Sequence, residues 1–375
     1  MNSTGPIAVL VEDFQLGSAA QQLTDRLLIG YPRQGAFHVA MGVPIRLFSE
    51  NKEPNDLIDK RIRDFQLIDA KHIKDALVDA PSVLVVPRGA GHHPSEKLIE
   101  SVLDGAIPGA RIFVHGLLSR SVRDARNLVE KARLRKLTII ASSYMPSTWR
   151  LPEVEVERER SITDAAIIVV GPSEEAEFLG IDGLLPLVDR RLGGESGVRQ
   201  IQCFEEEQIW DLLDRQPDIA ELMATAISRT DTPQGDPVRD GRTQDLVKLG
   251  LVQQLAKSPQ LYLLEHSDGL RSWIFVLNGV IADFNFAIRY ANHSLISAQF
   301  FRTPQPNAHH WSALVDVLEK FFETGRLPWA VERGILAAGI VEGLAETRSQ
   351  VKRVYQTPRL SGITYSARES SLIRR

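Results

Sequence analysis

Two stretches decide the fold class of this chain: VLVVPRGAGHHPSEKLIESVLDGA, residues 83–106, and RIFVHGLLSRSVRDARNLVEKARLRKLTIIAS, residues 111–142. Each begins with a short apolar run that passes into a helical pattern, and the second ends in another apolar run at 137–141. Short apolar runs are typical of buried parallel strands, which are joined by helices that cover the sheet. The two stretches therefore predict consecutive strand–helix–strand units of a parallel sheet.

The same alternation begins near residue 6 and predicts six strands in all. These strands are Ile7 to Val11, Pro44 to Phe48, a short one near Leu67, Ser82 to Val86, Arg111 to Val114 and Leu137 to Ala141. Six strands with helices between them indicate a doubly wound, Rossmann-type sheet of the α/β class. We place this nucleotide-binding-like domain at residues 1–146.

After Pro146 the pattern changes to that of an α+β domain, residues 147–375, with a large and mostly antiparallel sheet. Glu153 to Glu157 alternates with period two, and several longer apolar segments follow it, with Asp245 to Lys257 and the closing segment 310–347 predicted helical. The polar run Ser228 to Arg242 predicts either a lid over a site or a solvated surface insertion.

Composition excludes several classes of protein. The 375 residues suffice for two hydrophobic cores, and a net charge of -4 offers no cationic surface for nucleic acid. A single cysteine, Cys203, excludes an intramolecular disulfide and a cysteine-based metal site. The N-terminus lacks a basic region before its apolar run, and no apolar stretch is long enough to cross a bilayer. We expect a cytoplasmic protein without membrane or nucleic-acid partners.

The stretch 83–142 resembles the second half of the nucleotide domain of Gfo/Idh/MocA oxidoreductases. In that family a strand ends in a proline turn with a histidine nearby, a helix ends in glycine, and the next strand delivers a Glu-Lys-Pro motif. Gly180 to Leu184 stands where the family carries the helix of its catalytic histidine, and Trp329 to Thr347 resembles the family's closing helix. The resemblance implies NAD or NADP as cofactor and a sugar, polyol or keto-sugar as substrate in an interdomain cleft.

The resemblance also implies a homodimer or homotetramer, because members of the family commonly cover one face of the C-terminal sheet by pairing subunits. Trp273, Phe275 and Leu277 supply apolar side chains on one face of a predicted strand, for a core or for such an interface.

The chain departs from the family at the turn after the first strand, which reads VEDFQLG at residues 11–17. Only Gly17 remains of three glycines, and two acidic residues would repel a pyrophosphate by about a few kcal/mol. Glu12 is predicted either to hold substrate hydroxyls or to complement a helix dipole. If the cofactor binds, Gly17, Ser18 and Arg88 are the candidates for its phosphate contacts.

Two further departures concern catalysis. His115-Gly116-Leu117 replaces Glu-Lys-Pro, and Asp182 stands at the position of the catalytic histidine. His115, His92 and Asp182 are therefore candidates for acid–base work, and no metal-ligand spacing is present. Tyr144, Trp149 and Arg150 follow the sixth strand and are candidates for substrate contacts, together with Glu12.

Two functional hypotheses remain open at this point. One is a divergent enzyme, acting either with NAD(P) or by cofactor-free elimination, hydration or isomerisation of a keto-sugar. The other is a non-catalytic carbohydrate-binding protein or partner subunit.

Overall fold

The computed structural model describes residues 5–33, 35–39, 41–89, 93–234, 245–305, 307–349 and 353–368. The chain folds into two compact units. The first unit comprises residues 1–148, 303–338 and 368–375, and the second comprises 149–302 and 339–367. The division at Thr148–Trp149 lies close to the boundary expected at residue 146, and the chain returns to the first unit at Thr303.

The first unit contains a six-stranded parallel sheet with the order β5-β4-β1-β6-β7-β8. Its strands are β1 Ile7–Val11, β4 Ile45–Ser49, β5 Ile68–Asp69, β6 Ser82–Val86, β7 Arg111–His115 and β8 Thr138–Ser142. Its helices are α1 Ala19–Ile29, α2 Ile58–Phe65, α3 Ile73–Leu77, α4 Glu96–Gly105, α5 Val122–Leu134 and α10 His309–Thr324, and a hairpin joins β2 Tyr31–Arg33 to β3 Ala36–His38. The predicted Rossmann-type domain is confirmed.

The second unit contains an eight-stranded sheet with the order β16-β11-β12-β13-β10-β14-β15-β9. The strands are β9 Arg150–Leu151, β10 Ile162–Val169, β11 Val198–Glu205, β12 Gln260–His266, β13 Arg271–Val276, β14 Phe284–Tyr290, β15 Leu295–Phe300 and β16 Val354–Gln356. The helices are α6 Ser173–Val188, α7 Glu207–Arg215, α8 Pro217–Ile227, α9 Leu251–Leu255 and α11 Val331–Ser349, which begins in the first unit. Apart from the parallel β10–β13 pair, the strand pairs of this sheet are antiparallel, which confirms the predicted mixed sheet.

The chain itself covers the sheet face that we expected to serve subunit pairing. Trp273, Phe275 and Leu277 are buried in one cluster with residues of α7, α8 and α9. These side chains therefore form core rather than an exposed surface. Of the two roles expected for them, core or interface, the structure gives the first, and an oligomer stays a prediction.

Two local predictions were wrong. Glu153 to Glu157 forms no strand. Among these residues only Val156 is buried, and the described structure shows no strand pairing for this segment. Asp245 to Lys257 is helical only in α9, because Asp245 bonds the amides of Val247 and Lys248 and begins a turn instead.

Candidate functional site

Glu12, directly after β1, binds two backbone amides of the loop that follows β6. Its Oε2 accepts a hydrogen bond from the Arg88 amide at 2.9 Å, and its Oε1 accepts one from the Ser95 amide at 3.2 Å. Ser95 is the N-cap residue of α4. The carboxylate thus lies at the N-terminus of α4, where it complements the positive end of a helix dipole.

Arg88 is bound by acidic side chains of its own chain. Its Nε lies 3.0 Å from Asp13 Oδ2, and its Nη2 lies 3.8 Å from Glu53 Oε1. The guanidinium is half exposed, so these ion pairs are weak, but they compete with any incoming phosphate for the same charge. Arg88 was expected to contact a cofactor phosphate.

The start of α1 is also bonded internally. The Gly17 amide donates to Gln21 Oε1 at 3.0 Å, and the Gln21 amide donates to Ser18 Oγ at 3.2 Å. Gly17 adopts a φ of +82°, the left-handed conformation that glycine enters at least cost. Ser18 therefore acts as the N-cap of α1, and its hydroxyl oxygen already accepts a hydrogen bond from the helix.

These contacts decide how well the turn suits a dinucleotide. A pyrophosphate needs backbone amides that face it, and it repels nearby carboxylates. In this turn the Gly17 amide is occupied by Gln21, and Glu12 and Asp13 follow β1 directly. The residues do not fit a pyrophosphate in the position that a glycine-rich turn would give it.

His115, the last residue of β7, is fully buried at 0% exposure. Neither ring nitrogen has a hydrogen-bond partner among the described residues, and the ring centre lies 5.2 Å from that of Trp311. Burial lowers the pKa of His115 to about 4, so the imidazole is neutral at physiological pH. A neutral ring without solvent access is poorly placed for acid–base work on a substrate.

Tyr144 belongs to the same aromatic cluster. Its ring centre lies 4.9 Å from His310 and 4.9 Å from Trp311, so the three rings cover the region after β8. The position of the family's lysine is Gly116, whose amide donates to the Ser142 carbonyl oxygen at 3.0 Å. His310 and Trp311 of α10 thus pack against Tyr144, and Trp311 also packs against His115, the residue expected to do acid–base work.

The remaining candidates lie in the second unit or outside the described residues. Asp182 is buried within α6, Trp149 is 40% exposed, and Arg150 is buried with its guanidinium 5.7 Å from the Phe286 ring centre. Burial lowers the pKa of Arg150 to about 10. His92 lies outside the described residues, as does most of the predicted lid. Their roles stay predictions.

The first unit also contains a buried cation that was not among the candidates predicted from the sequence. Arg333, in the first turn of α11, is 1% exposed and donates from Nη2 to Ser142 Oγ at 3.1 Å. Its guanidinium carbon lies 4.4 Å from the centre of the Trp329 ring. The signal was present in the sequence, since Arg333 precedes Leu336 and Ile340 at helical spacing and so belongs to an apolar stripe.

The second unit holds a serine–histidine–glutamate arrangement. His266 Nδ1 lies 2.8 Å from Glu195 Oε1, and His266 Nε2 lies 2.9 Å from Ser272 Oγ. Arg191 adds an ion pair to Glu195 at 3.2 Å. Nucleophilic enzymes use this order of groups, but here all three side chains are at most 1% exposed and both ring nitrogens of His266 are bonded within the network. The network is structural.

The described residues contain no group of three or more histidine, cysteine, aspartate or glutamate side chains arranged to hold a metal ion. Nor does the described part of the chain include a helix that is long and apolar enough to cross a membrane.

Comparison with known proteins identifies the fold. No protein-family model and no curated protein matches the chain. Among solved structures, it is similar to GenD2 from gentamicin A biosynthesis in complex with NAD, with a TM-score of 0.58, 10% identity and coverage of 94% of this chain and 96% of that one. It is also similar to myo-inositol dehydrogenase from Lactobacillus casei in complex with NAD(H) and myo-inositol, with a TM-score of 0.56, 14% identity and coverage of 94% and 96%.

A probable dehydrogenase from Thermotoga maritima gives a TM-score of 0.55 at 12% identity, with 95% of this chain and 100% of that chain covered. These neighbours are dehydrogenases of the Gfo/Idh/MocA type. The resemblance read from the sequence is thus confirmed for the fold, and identities this low show the fold alone.

Proposed function

We propose that this chain is a binding protein for a polyhydroxylated small molecule, built on a dehydrogenase fold and without NAD(P)-linked hydride transfer. The observation that carries the proposal is the Glu12 carboxylate, which spans the Arg88 and Ser95 amides at 2.9 and 3.2 Å. It fixes an acidic group beside the turn where a dinucleotide places two negative charges. Gly116 at the position of the family's lysine, and His115 buried and neutral, support the loss of the reaction.

The ligand class rests on the neighbours of the fold. One of the similar structures holds myo-inositol, a cyclic polyol, and another comes from gentamicin A biosynthesis. Hydroxyl-rich ligands of this kind bind through hydrogen bonds and stacking on aromatic faces. Trp149, 40% exposed directly after the first unit, is the candidate for such stacking.

A second candidate is an NAD(P)-dependent sugar or polyol oxidoreductase. One observation favours it: the amides of Ala19 and Ala20, in the first turn of α1, have no hydrogen-bond partner within the described parts of the chain. Two free amides at a helix N-terminus attract a phosphate group. Binding in this mode needs the phosphate to lie beside Glu12 and Asp13.

The experiment is a thermal-shift screen of the purified chain against inositols, aldoses and alditols, with and without NAD or NADP. We expect at least one polyol to raise the melting temperature by the same amount whether or not a dinucleotide is present. The matched reaction assay, which follows the absorbance of the reduced nicotinamide, is expected to show no turnover. A polyol-dependent reduction of NAD or NADP would contradict the proposal and establish the second candidate.

A further inference from the structure

Arg333 lies in a group of buried polar side chains on one face of the parallel sheet in the first unit. His115 and Ser142 are aligned in the register of β7 and β8, so their side chains point to the same face about 5 Å apart. Arg333 bonds Ser142, and its guanidinium stacks on Trp329. We call these four residues, His115, Ser142, Trp329 and Arg333, the Arg333 cluster.

The cluster contains polar atoms without hydrogen-bond partners, and at least three of them are N–H donors. Among the described residues, no hydrogen-bond partner is found for Arg333 Nε, for Trp329 Nε1 or for either nitrogen of His115. No described carboxylate lies within 4.0 Å of the Arg333 guanidinium. Ser142 Oγ is thus the side-chain acceptor that the described structure offers to a fully buried cation.

A guanidinium cannot relieve this by losing its proton, since arginine stays charged at any pH that a folded protein tolerates. Burying an unpaired charge is costly, and a cation–π contact offsets only part of that cost. The location of Arg333 in the first turn of α11 adds the positive end of a helix dipole. The charge of Arg333 and the helix dipole therefore both favour an anion at this position.

We propose that the Arg333 cluster binds a compact monovalent anion, a halide ion or the carboxylate of a small organic acid. Arg333 provides the charge, and the Trp329 indole N–H and one N–H of the neutral His115 ring donate hydrogen bonds beside it. One uncompensated cation matches one negative charge, and the burial of all four side chains limits the size of the occupant. The site is independent of the polyol and of any dinucleotide.

The test uses the full chain at pH 8, in buffer of constant ionic strength in which the sodium salt of 2-(N-morpholino)ethanesulfonate is replaced stepwise by sodium chloride or sodium formate. The morpholinoethanesulfonate ion is the large-anion reference and carries no hydroxyl groups. We expect the melting temperature to rise along a saturable curve with chloride, formate or both, as binding to the folded state alone requires. The ion that saturates at the lower concentration identifies the source of the negative charge.

Arg333→Met removes the charge and keeps an apolar stem of similar length. Its apparent affinity for the anion is expected to fall about tenfold or more, the usual effect of losing a charged hydrogen-bond partner. Arg133→Met, on the exposed surface of α5, changes the net charge equally and is expected to keep the native curve. If Arg333→Met does not fold, Ser142→Ala and Trp329→Phe each serve, with a smaller expected loss of affinity.

A rise that is linear and equal in the native chain and in Arg333→Met would overturn the proposal, since that is a general salt effect. Crystals grown in sodium bromide give a direct check. An anomalous peak within hydrogen-bond distance of the Arg333 guanidinium supports the site. A carboxylate of the chain itself in that position would overturn it.

Discussion

Among the described residues, each unit buries one histidine completely, and the two histidines have opposite surroundings. In the second unit, His266 has a partner at both ring nitrogens, Glu195 at 2.8 Å and Ser272 at 2.9 Å. In the first unit, His115 has a partner at neither nitrogen among the described residues. Buried polar groups are normally paired, so the first arrangement is complete in itself and the second is not. A structural polar network therefore differs from a candidate site in whether its buried polar atoms all have hydrogen-bond partners, and not in the types of residue that it contains.

The Glu195 network is expected to contribute most to stability. Burial raises the pKa of Glu195, but the charge and hydrogen bond of His266, together with Arg191, outweigh this and lower the pKa to about 2. Glu195→Gln leaves the buried partners without their anion, so we expect the free energy of unfolding at pH 7 to fall by about 3 to 5 kcal/mol. Urea denaturation measures this.

The pH dependence of the same network has a definite sign. A carboxylate with a lowered folded pKa stabilises the fold above its unfolded pKa, about 4.3, and loses that contribution as the pH falls toward 2. Glu265→Gln, on the partly exposed side of β12, is the control, and we expect its effect to stay below about 1 kcal/mol. If Glu195→Gln and Glu265→Gln lowered the free energy of unfolding equally, the buried Glu195 network would contribute no more than a surface ion pair.

His115→Phe should have its effect mainly at low pH. Because burial lowers the folded pKa of His115 to about 4, the unfolded chain takes up this proton first as the pH falls below about 6.5. The native chain therefore loses about 3 kcal/mol between pH 6.5 and pH 4, and the phenylalanine variant should not show this loss. Denaturation in chloride-free buffer across that range measures the difference.

The control is His293→Asn at an exposed turn with a φ of +65°, a conformation that asparagine tolerates. Its stability is expected to follow the native curve at every pH. If His115→Phe also followed the native curve, the imidazole would have a partner in the folded protein, and the contrast with His266 would disappear.

Glu12→Gln is expected to have the smallest effect on stability. The change leaves one of the two amides, Arg88 or Ser95, facing an N–H group instead of a carboxylate oxygen, which should cost about 1 to 2 kcal/mol. Glu53→Gln, at the outer and more exposed contact of Arg88, should change stability by less than about 0.5 kcal/mol. If Glu12→Gln left the free energy of unfolding unchanged, the carboxylate would not be needed to hold the Arg88 and Ser95 amides beside the turn.

Much of the fold was predictable from short apolar runs with helices between them. All six strands of the parallel sheet lie within a few residues of their predicted bounds, and the clearest of them, β1, is a continuous apolar run that is buried along its whole length. Strands such as β11, Val198–Glu205, were missed because polar residues alternate with few apolar ones. The Glu153 to Glu157 alternation failed for the opposite reason, since a period of two without a partner strand does not make a sheet.

The site was less predictable than the fold. The sequence places His115 at the end of a strand, but its burial depends on Trp311, almost two hundred residues later in the chain. A helix dipole was one of the two roles predicted for Glu12, but the helix whose N-terminus it bonds, α4, is distant in sequence. Contacts of this range follow from the tertiary fold, and a single sequence does not contain them.

The central claim is that the turn after β1 is closed to a dinucleotide, and titration of the native chain with NADH and NADPH tests it most directly. Quenching of the five tryptophans reports binding, and Glu12→Gly serves as the variant in which the carboxylate is removed. We predict no saturable quenching of the native chain at concentrations up to about 1 mM, the upper end of the usual range of enzyme KM values. Saturable binding to the native chain at micromolar concentration would contradict the account.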